Sequence, residues 1–213
     1  MHGSRTALVV VDMQNYYIDP SSDFTRYFES LSPGCMSYIS RRCRDVVVPN
    51  IVRLIKFFRD RERVIIYLGL CGTDPERKDL HRFFRESWQK GREAGFPDIY
   101  PLSHHPMAAV IDELRPAPGD DFITKTTFSA FSSTDIETRL KRRGIGELVF
   151  TGLATSQCVE TTARDASDRG FRVVQIEDAQ ADYDEATHGA SLFSSQGVCG
   201  GIIMTADEYL ATR

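Results

Sequence analysis

The 213-residue chain lacks the features that mark several large protein classes. No apolar run approaches the roughly 20 residues of a membrane span, so no membrane partner is expected. The opening stretch, MHGSRTALVVVDMQ, holds an apolar run too short for a secretion signal, and the run ends on an acid. A cytoplasmic protein is therefore expected. Positive charge is not in excess. The 26 Lys and Arg face 30 Asp and Glu, for a net charge of −4, so nothing suggests the basic surface of a nucleic-acid binder, and no nucleic-acid partner is expected. The five cysteines (35, 43, 71, 158 and 199) are odd in number and show no C-x-x-C spacing. Neither a disulfide framework nor a zinc site is indicated. No G-x-G-x-x-G follows the first apolar run, and there is no G-x-x-x-x-G-K-[ST] phosphate loop. Internal repeats, low-complexity segments and linkers are also missing.

The residues present describe an alternating α/β chain. TALVVVD (6–12) and RVIIYLGL (63–70) are near-continuous apolar runs, as in strands covered on both faces. DDFITK (120–125), ELVFTG (147–152), FRVVQIED (171–178) and VCGGIIMT (198–205) complete about six strands. Between them, 46–62 has apolar residues at helical spacing, and 107–116 reads as a short helix stopped by proline. Residues 133–144 carry a capping box, Thr134 with Glu137, and end on Gly144. The segments 158–169 and 184–197 are helical, and Thr205 with Glu208 caps a last helix. Such alternation predicts a parallel sheet with helices on both faces, a three-layer α/β/α arrangement in one domain over 1–213. Two stretches, 16–44 and 71–106, fit the pattern poorly and read as loop or lid insertions.

In a parallel sheet, ligands bind beyond the carboxyl ends of the strands. Three chemically complementary residues fall there. Asp12 ends the first strand, Lys125 ends the third, and Cys158 follows the fourth in GLATSQCVETTARDA. With Thr155 or Ser156 as N-cap, Cys158 falls in a first helical turn, where the dipole favours a thiolate. An adjacent ammonium adds to that effect, and a carboxylate can carry the proton. The expected chemistry is acyl transfer to Cys158, then hydrolysis of the thioester. Taken singly, Asp12 reads equally as a turn cap, Lys125 as a surface charge and Cys158 as a buried structural thiol. Their joint placement favours the reactive reading.

LVVVDMQN, KTTFSAFSSTDIETRL and FTGLATSQCVETTARDASDRG resemble the isochorismatase-like cysteine hydrolases, the group of nicotinamidases, N-carbamoylsarcosine amidohydrolase, ureidoacrylate amidohydrolase and biuret hydrolase. The resemblance implies an Asp12–Lys125–Cys158 triad. It also implies a cis peptide between Leu153 and Ala154, aiming the N–H groups of Ala154 and Cys158 at an oxyanion. It implies a C–N hydrolase of a small amide, ureide or carbamoyl compound, and a homodimer or homotetramer. A lactam or ester hydrolase of secondary metabolism on the same triad is the alternative, and a non-catalytic small-molecule-binding module is the reading from another class.

The sequence also departs from members of the group it resembles. The D-x-H metal motif of nicotinamidases is missing from IIYLGLCGTDPERKDLH, where Asp74 and His81 are seven apart, so no metal and no cofactor are expected and nicotinamide is disfavoured. Substrate contacts are sought in Gln14 and Tyr17 after the aspartate, Phe128 and Phe131 after the lysine, Trp88, and Gln180 after the fifth strand. Arg82, Arg85 and Arg92 are candidates for a substrate carboxylate, with a solvated charged face as the simpler reading. His188 is a candidate for a supporting role, and His104 and His105 are read as incidental.

Overall fold

A computed structural model describes residues 5–197, 199 and 201–212. Six parallel strands form one sheet: β1 (Arg5–Val11), β2 (Val64–Leu70), β3 (Asp121–Lys125), β4 (Ile145–Leu153), β5 (Arg172–Ala181) and β6 (Ile202–Met204), in the order β3-β2-β1-β4-β5-β6. The chain builds outward from β1 to β3, then returns to place β4 against the other side of β1. The carboxyl ends of β1 and β4 therefore flank the switch point, the usual crevice of such sheets. The central strands are buried on both faces from Ala7 to Val11 and from Glu147 to Leu153, which explains their unbroken apolar runs. The edge strands β3 and β6 are partly exposed.

Among the described residues, ten α-helices surround the sheet: α1 (Asn15–Ile18), α2 (Asp23–Leu31), α3 (Ser37–Arg42), α4 (Val48–Arg59), α5 (Arg82–Glu93), α6 (Ala130–Ser133), α7 (Ile136–Arg142), α8 (Glu160–Asp168), α9 (Glu185–Ser195) and α10 (Ala206–Thr212). Helices α4 and α10 pack together and on β5, with α4 also reaching β1 and β2. Helix α7 packs on β4 and α8 on β5, with α6 and α9 beside them. Helix α4 buries Ile51, Leu54, Ile55 and Phe58, spaced for one face. At α10, Glu208 accepts from the N–H of Thr205 (2.8 Å) and Thr205 Oγ1 from the N–H of Glu208 (3.2 Å), the expected capping box. No helix among the described residues is long and apolar enough to cross a membrane.

Several expectations change. Residues 16–44 are mostly helix, and α5 lies inside 71–106. Phe24 and Tyr27 of α2 and Phe84 and Trp88 of α5 are buried in the core. Residues 107–116 form no α-helix. Two short 3₁₀ turns, Pro106–Ala108 and Asp112–Leu114, flank an extended piece that pairs with the chain after β1. Ile111 N–H donates to Met13 (3.1 Å), and Asn15 N–H to Ala109 (2.9 Å). That pairing outweighs the helical spacing. Thr134 ends α6 rather than boxing with Glu137, whose carboxylate pairs with Lys141 and Arg169. The expected strand 198–205 includes Val198 and Gly200, which lie outside the described residues.

Candidate active site

Gly152, the next-to-last residue of β4, has φ +105°. A Cβ there would lie 2.1 Å from the Val11 carbonyl oxygen, so only glycine lets β4 press against the end of β1 at this point. Asp12 then adopts φ +51°, a left-handed conformation that aspartate tolerates better than most residues. Its N–H donates to the Leu68 carbonyl (2.8 Å) and its carbonyl accepts from Gln14 (2.9 Å). These bonds fix Asp12 at the switch point.

The peptide between Leu153 and Ala154 is trans; the described residues contain no cis peptide. The positive φ of Gly152 already turns the chain, and trans avoids the roughly 3–4 kcal/mol of a cis non-proline bond. The expected N-cap also differs. Ala154 occupies that position, and Thr155–Val159 form one π-helical turn leading into α8. The turn is tied down from the residue after β5 and from α9. Ser156 N–H donates to Asp182 Oδ2 (2.7 Å), and Thr155 Oγ1 meets His188 Nδ1 at 2.8 Å. Arg42 Nη2 lies 3.0 Å from His188 Nε2 and also donates to the Glu177 carbonyl. Because Arg42 is only a donor, Nε2 must accept and Nδ1 must carry the proton toward Thr155. Burial and Arg42 lower the His188 pKa to about 4.

Asp12, Lys125 and Cys158 meet. Lys125 Nζ lies 2.9 Å from Asp12 Oδ2, 3.1 Å from Cys158 Sγ and 3.1 Å from the Thr127 carbonyl oxygen. Its three protons thus have three acceptors. All three residues are buried, Lys125 completely. Burial depresses the ammonium, but Asp12 and Cys158 outweigh it and leave the Lys125 pKa raised. The thiol departs from expectation. Burial first, and then the Asp12 carboxylate, push the Cys158 pKa up, and Lys125 offsets only part of this. These directions leave Cys158 a neutral thiol beside the Lys125 ammonium. Oδ1 of Asp12 is buried without another hydrogen-bond partner, which leaves it open to accept the thiol proton.

A space of only about 10 Å³ touches Cys158. Leu153, Ala154, Tyr17, Gln157 and Tyr183 are among its walls. Of the six candidate substrate contacts, Tyr17 alone lines it. Gln14 is fully buried and braces backbone instead, accepting from Leu70 N–H (2.8 Å) and donating to the Ala108 carbonyl (2.6 Å). Gln180 is equally buried and donates to the Phe150 carbonyl. Phe131 packs on Phe171 and under Arg169. Trp88 donates to the Pro97 carbonyl (2.8 Å), with Arg77 and Arg92 over its ring. Phe128 packs against Phe83 and Phe84. Arg82 and Arg92 pair with Glu86 and Glu76 on the surface. A larger depression of about 530 Å³, between Asn15 and Glu113, contains none of the three central residues. Among the described residues, no cluster of three or more His, Cys, Asp or Glu is arranged to hold a metal ion.

The isochorismatase domain model matches residues 6–208. The chain belongs to the isochorismatase family. It is 29% identical over 220 residues to the ureidoacrylate amidohydrolase of Variovorax paradoxus, covering 99% of this chain and 82% of that one. It is 32% identical over 185 residues to the ureidoacrylate amidohydrolase of Agrobacterium fabrum, covering 83% and 75%. Among solved structures, N-carbamoylsarcosine amidase from Thermoplasma acidophilum superposes with a TM-score of 0.68 at 26% identity, covering 95% of this chain and 97% of that one. Sequence reasoning about this family member missed Met36, Gln157 and Tyr183 at the cavity. Met36 and Tyr183 come from segments that carry no motif. Gln157 carries a usable signal, since it directly precedes Cys158.

Proposed function

We propose that the protein is a cysteine amidohydrolase in which Cys158 attacks the carbonyl carbon of a small amide, ureide or carbamoyl compound. The amidohydrolase class rests on the family match and on relatives that carry that activity in their names. The assignment of roles rests on one observation: Lys125 Nζ sits within 3.1 Å of both Asp12 Oδ2 and Cys158 Sγ in a buried setting.

The steps follow from that geometry. Asp12 takes the thiol proton as Sγ forms a bond to the carbonyl carbon, so the thiolate exists only transiently. Lys125 offsets the negative charge that passes between Sγ and the carboxylate. The carbonyl oxygen becomes an oxyanion, and the N–H groups of Ala154 and Cys158 are its proposed donors. Such a donor typically contributes about 3–4 kcal/mol to the transition state. Asp12 then returns the proton to the leaving nitrogen as the C–N bond breaks, giving a thioester. Water attacks the thioester carbon, Asp12 accepts its proton, and the C–S bond breaks to release the acid and restore the thiol. A homo-oligomer and a cytoplasmic setting complete this reading, with all 213 residues as one hydrolase domain.

The test is ammonia release across a panel of primary amides, ureides and carbamoyl compounds, ureidoacrylate included. Cys158→Ala is expected to lower turnover by about 10⁴-fold or more. Turnover kept in that variant would overturn the assignment.

A further inference from the structure

The small space at Cys158 adjoins a larger cavity of about 300 Å³, and the two share Met36, Gln157 and Tyr183. Phe28 and Leu31 from α2, Phe83 from α5 and Tyr100 form much of the remaining wall. No Asp, Glu, Lys, Arg or His lines either cavity among the described residues. Burial raises the pKa of Tyr100 and Tyr183, so both phenols stay neutral. Leu31 and Phe83 stand 63% and 48% exposed at this cavity, large apolar side chains with surface still to cover.

We propose that this cavity is the acyl-group pocket of the hydrolase, and that the enzyme prefers an uncharged primary amide whose aromatic ring or branched hydrocarbon is held on a short linker, unlike the ring-bonded amide of nicotinamide. The inference rests on the amidohydrolase reading above and adds its specificity. The space at Sγ is only about 10 Å³, close to the room of one water, which favours an unsubstituted NH₂ leaving group over a bulkier one. The rest of the substrate must then lie in the outer cavity. That cavity is about twice the ~150 Å³ that takes a benzene molecule, so a ring with a short linker fits. Gln157 borders both spaces, and its side-chain amide makes no hydrogen bond to the protein among the described residues. It is free to bind the substrate amide. A carboxylate on the acyl group would lose its hydration against Phe28, Leu31 and Phe83 with no cation to meet it. Selectivity against such anions follows.

The experiment compares kcat/KM for acetamide, phenylacetamide and the para-carboxylate of phenylacetamide. The wild-type enzyme is expected to favour phenylacetamide over acetamide by roughly 10-fold or more, and over its carboxylate by about 100-fold or more. Phe83→Arg and, separately, Leu31→Arg place a cation at the cavity without touching Asp12, Lys125 or Cys158. Each is expected to narrow the second ratio below about 10-fold, with a cooperative thermal unfolding transition showing that the variant is folded. A wild-type enzyme that takes the carboxylate as well as the neutral amide, or prefers acetamide, overturns the pocket assignment and leaves Cys158 as nucleophile. If no amide is cleaved and Cys158 is never acylated, the amidohydrolase reading fails and the specificity with it.

Discussion

A Cβ on Gly152 would lie 2.1 Å from the carbonyl oxygen of Val11. The contact joins the ends of β4 and β1, one residue before Asp12 and six before Cys158, so any displacement there moves both. Gly152→Ala combines this backbone clash with a disfavoured φ of +105°. It is expected to lower Tm by roughly 6 °C or more and to abolish turnover. Gly95→Ala is the control. Gly95 has φ +88° but nothing within 4 Å of a Cβ, so it is expected to cost only about 1–2 kcal/mol of backbone strain and to keep activity. Thermal unfolding and ammonia release on the two variants check this.

The Lys125–Asp12 pair is buried at 0% and 1% exposure. Lys125→Met leaves the carboxylate uncompensated and is expected to destabilise the fold by about 3–5 kcal/mol. Adding Asp12→Asn removes the orphaned charge. The double variant is expected to be more stable than Lys125→Met alone, though inactive. Urea unfolding of the single and double variants measures the coupling.

The reactivity of the resting thiol carries a sign. Asp12 raises the Cys158 pKa and Lys125 lowers it. Iodoacetamide labelling of Cys158 at pH 8 is therefore expected to speed up in Asp12→Asn and slow down in Lys125→Met, although both variants lose turnover. A low-pKa thiolate in the wild type, seen as pH-independent labelling from pH 6 to 8, would contradict the neutral-thiol resting state.

His188 links stability to pH. Burial and Arg42 lower its pKa from the ordinary 6.5 to about 4 in the folded protein. Between these values the unfolded chain binds a proton that the native state refuses, so stability falls as pH drops from 6.5 to about 4. Above 6.5 the penalty is absent. His188→Gln is expected to flatten this part of the stability curve by up to one proton, read from urea midpoints at successive pH values.

The legibility of the fold follows from where each element sits. Strands β1, β2 and β4 are buried on both faces, so their apolar runs are unbroken and visible in the sequence. The three residues at strand ends are legible for the same reason. Helix α2 was not, although Phe24, Tyr27, Phe28 and Leu31 recur at helical spacing after Ser22, whose Oγ accepts from Thr25 N–H. The 107–116 segment misleads because its spacing is helical while its backbone pairs with Met13 and Asn15. The cavity is the least legible part. Its walls come from α2, Met36, Phe83, Tyr100 and Tyr183, and only tertiary packing brings them beside Cys158. The thiol pKa is hidden likewise. A helix start and a lysine argue for depression, but burial together with Asp12 reverses the direction.

The central claim is that Cys158 forms the covalent intermediate. The most direct measurement is acid-quenched mass spectrometry of the protein milliseconds after mixing with a cleaved amide. The expected result is an added mass equal to the acyl group, mapped to the peptide containing Cys158 and missing in Cys158→Ala. Ammonia release at the wild-type rate by Cys158→Ala, or an acyl adduct on another residue, would contradict the account.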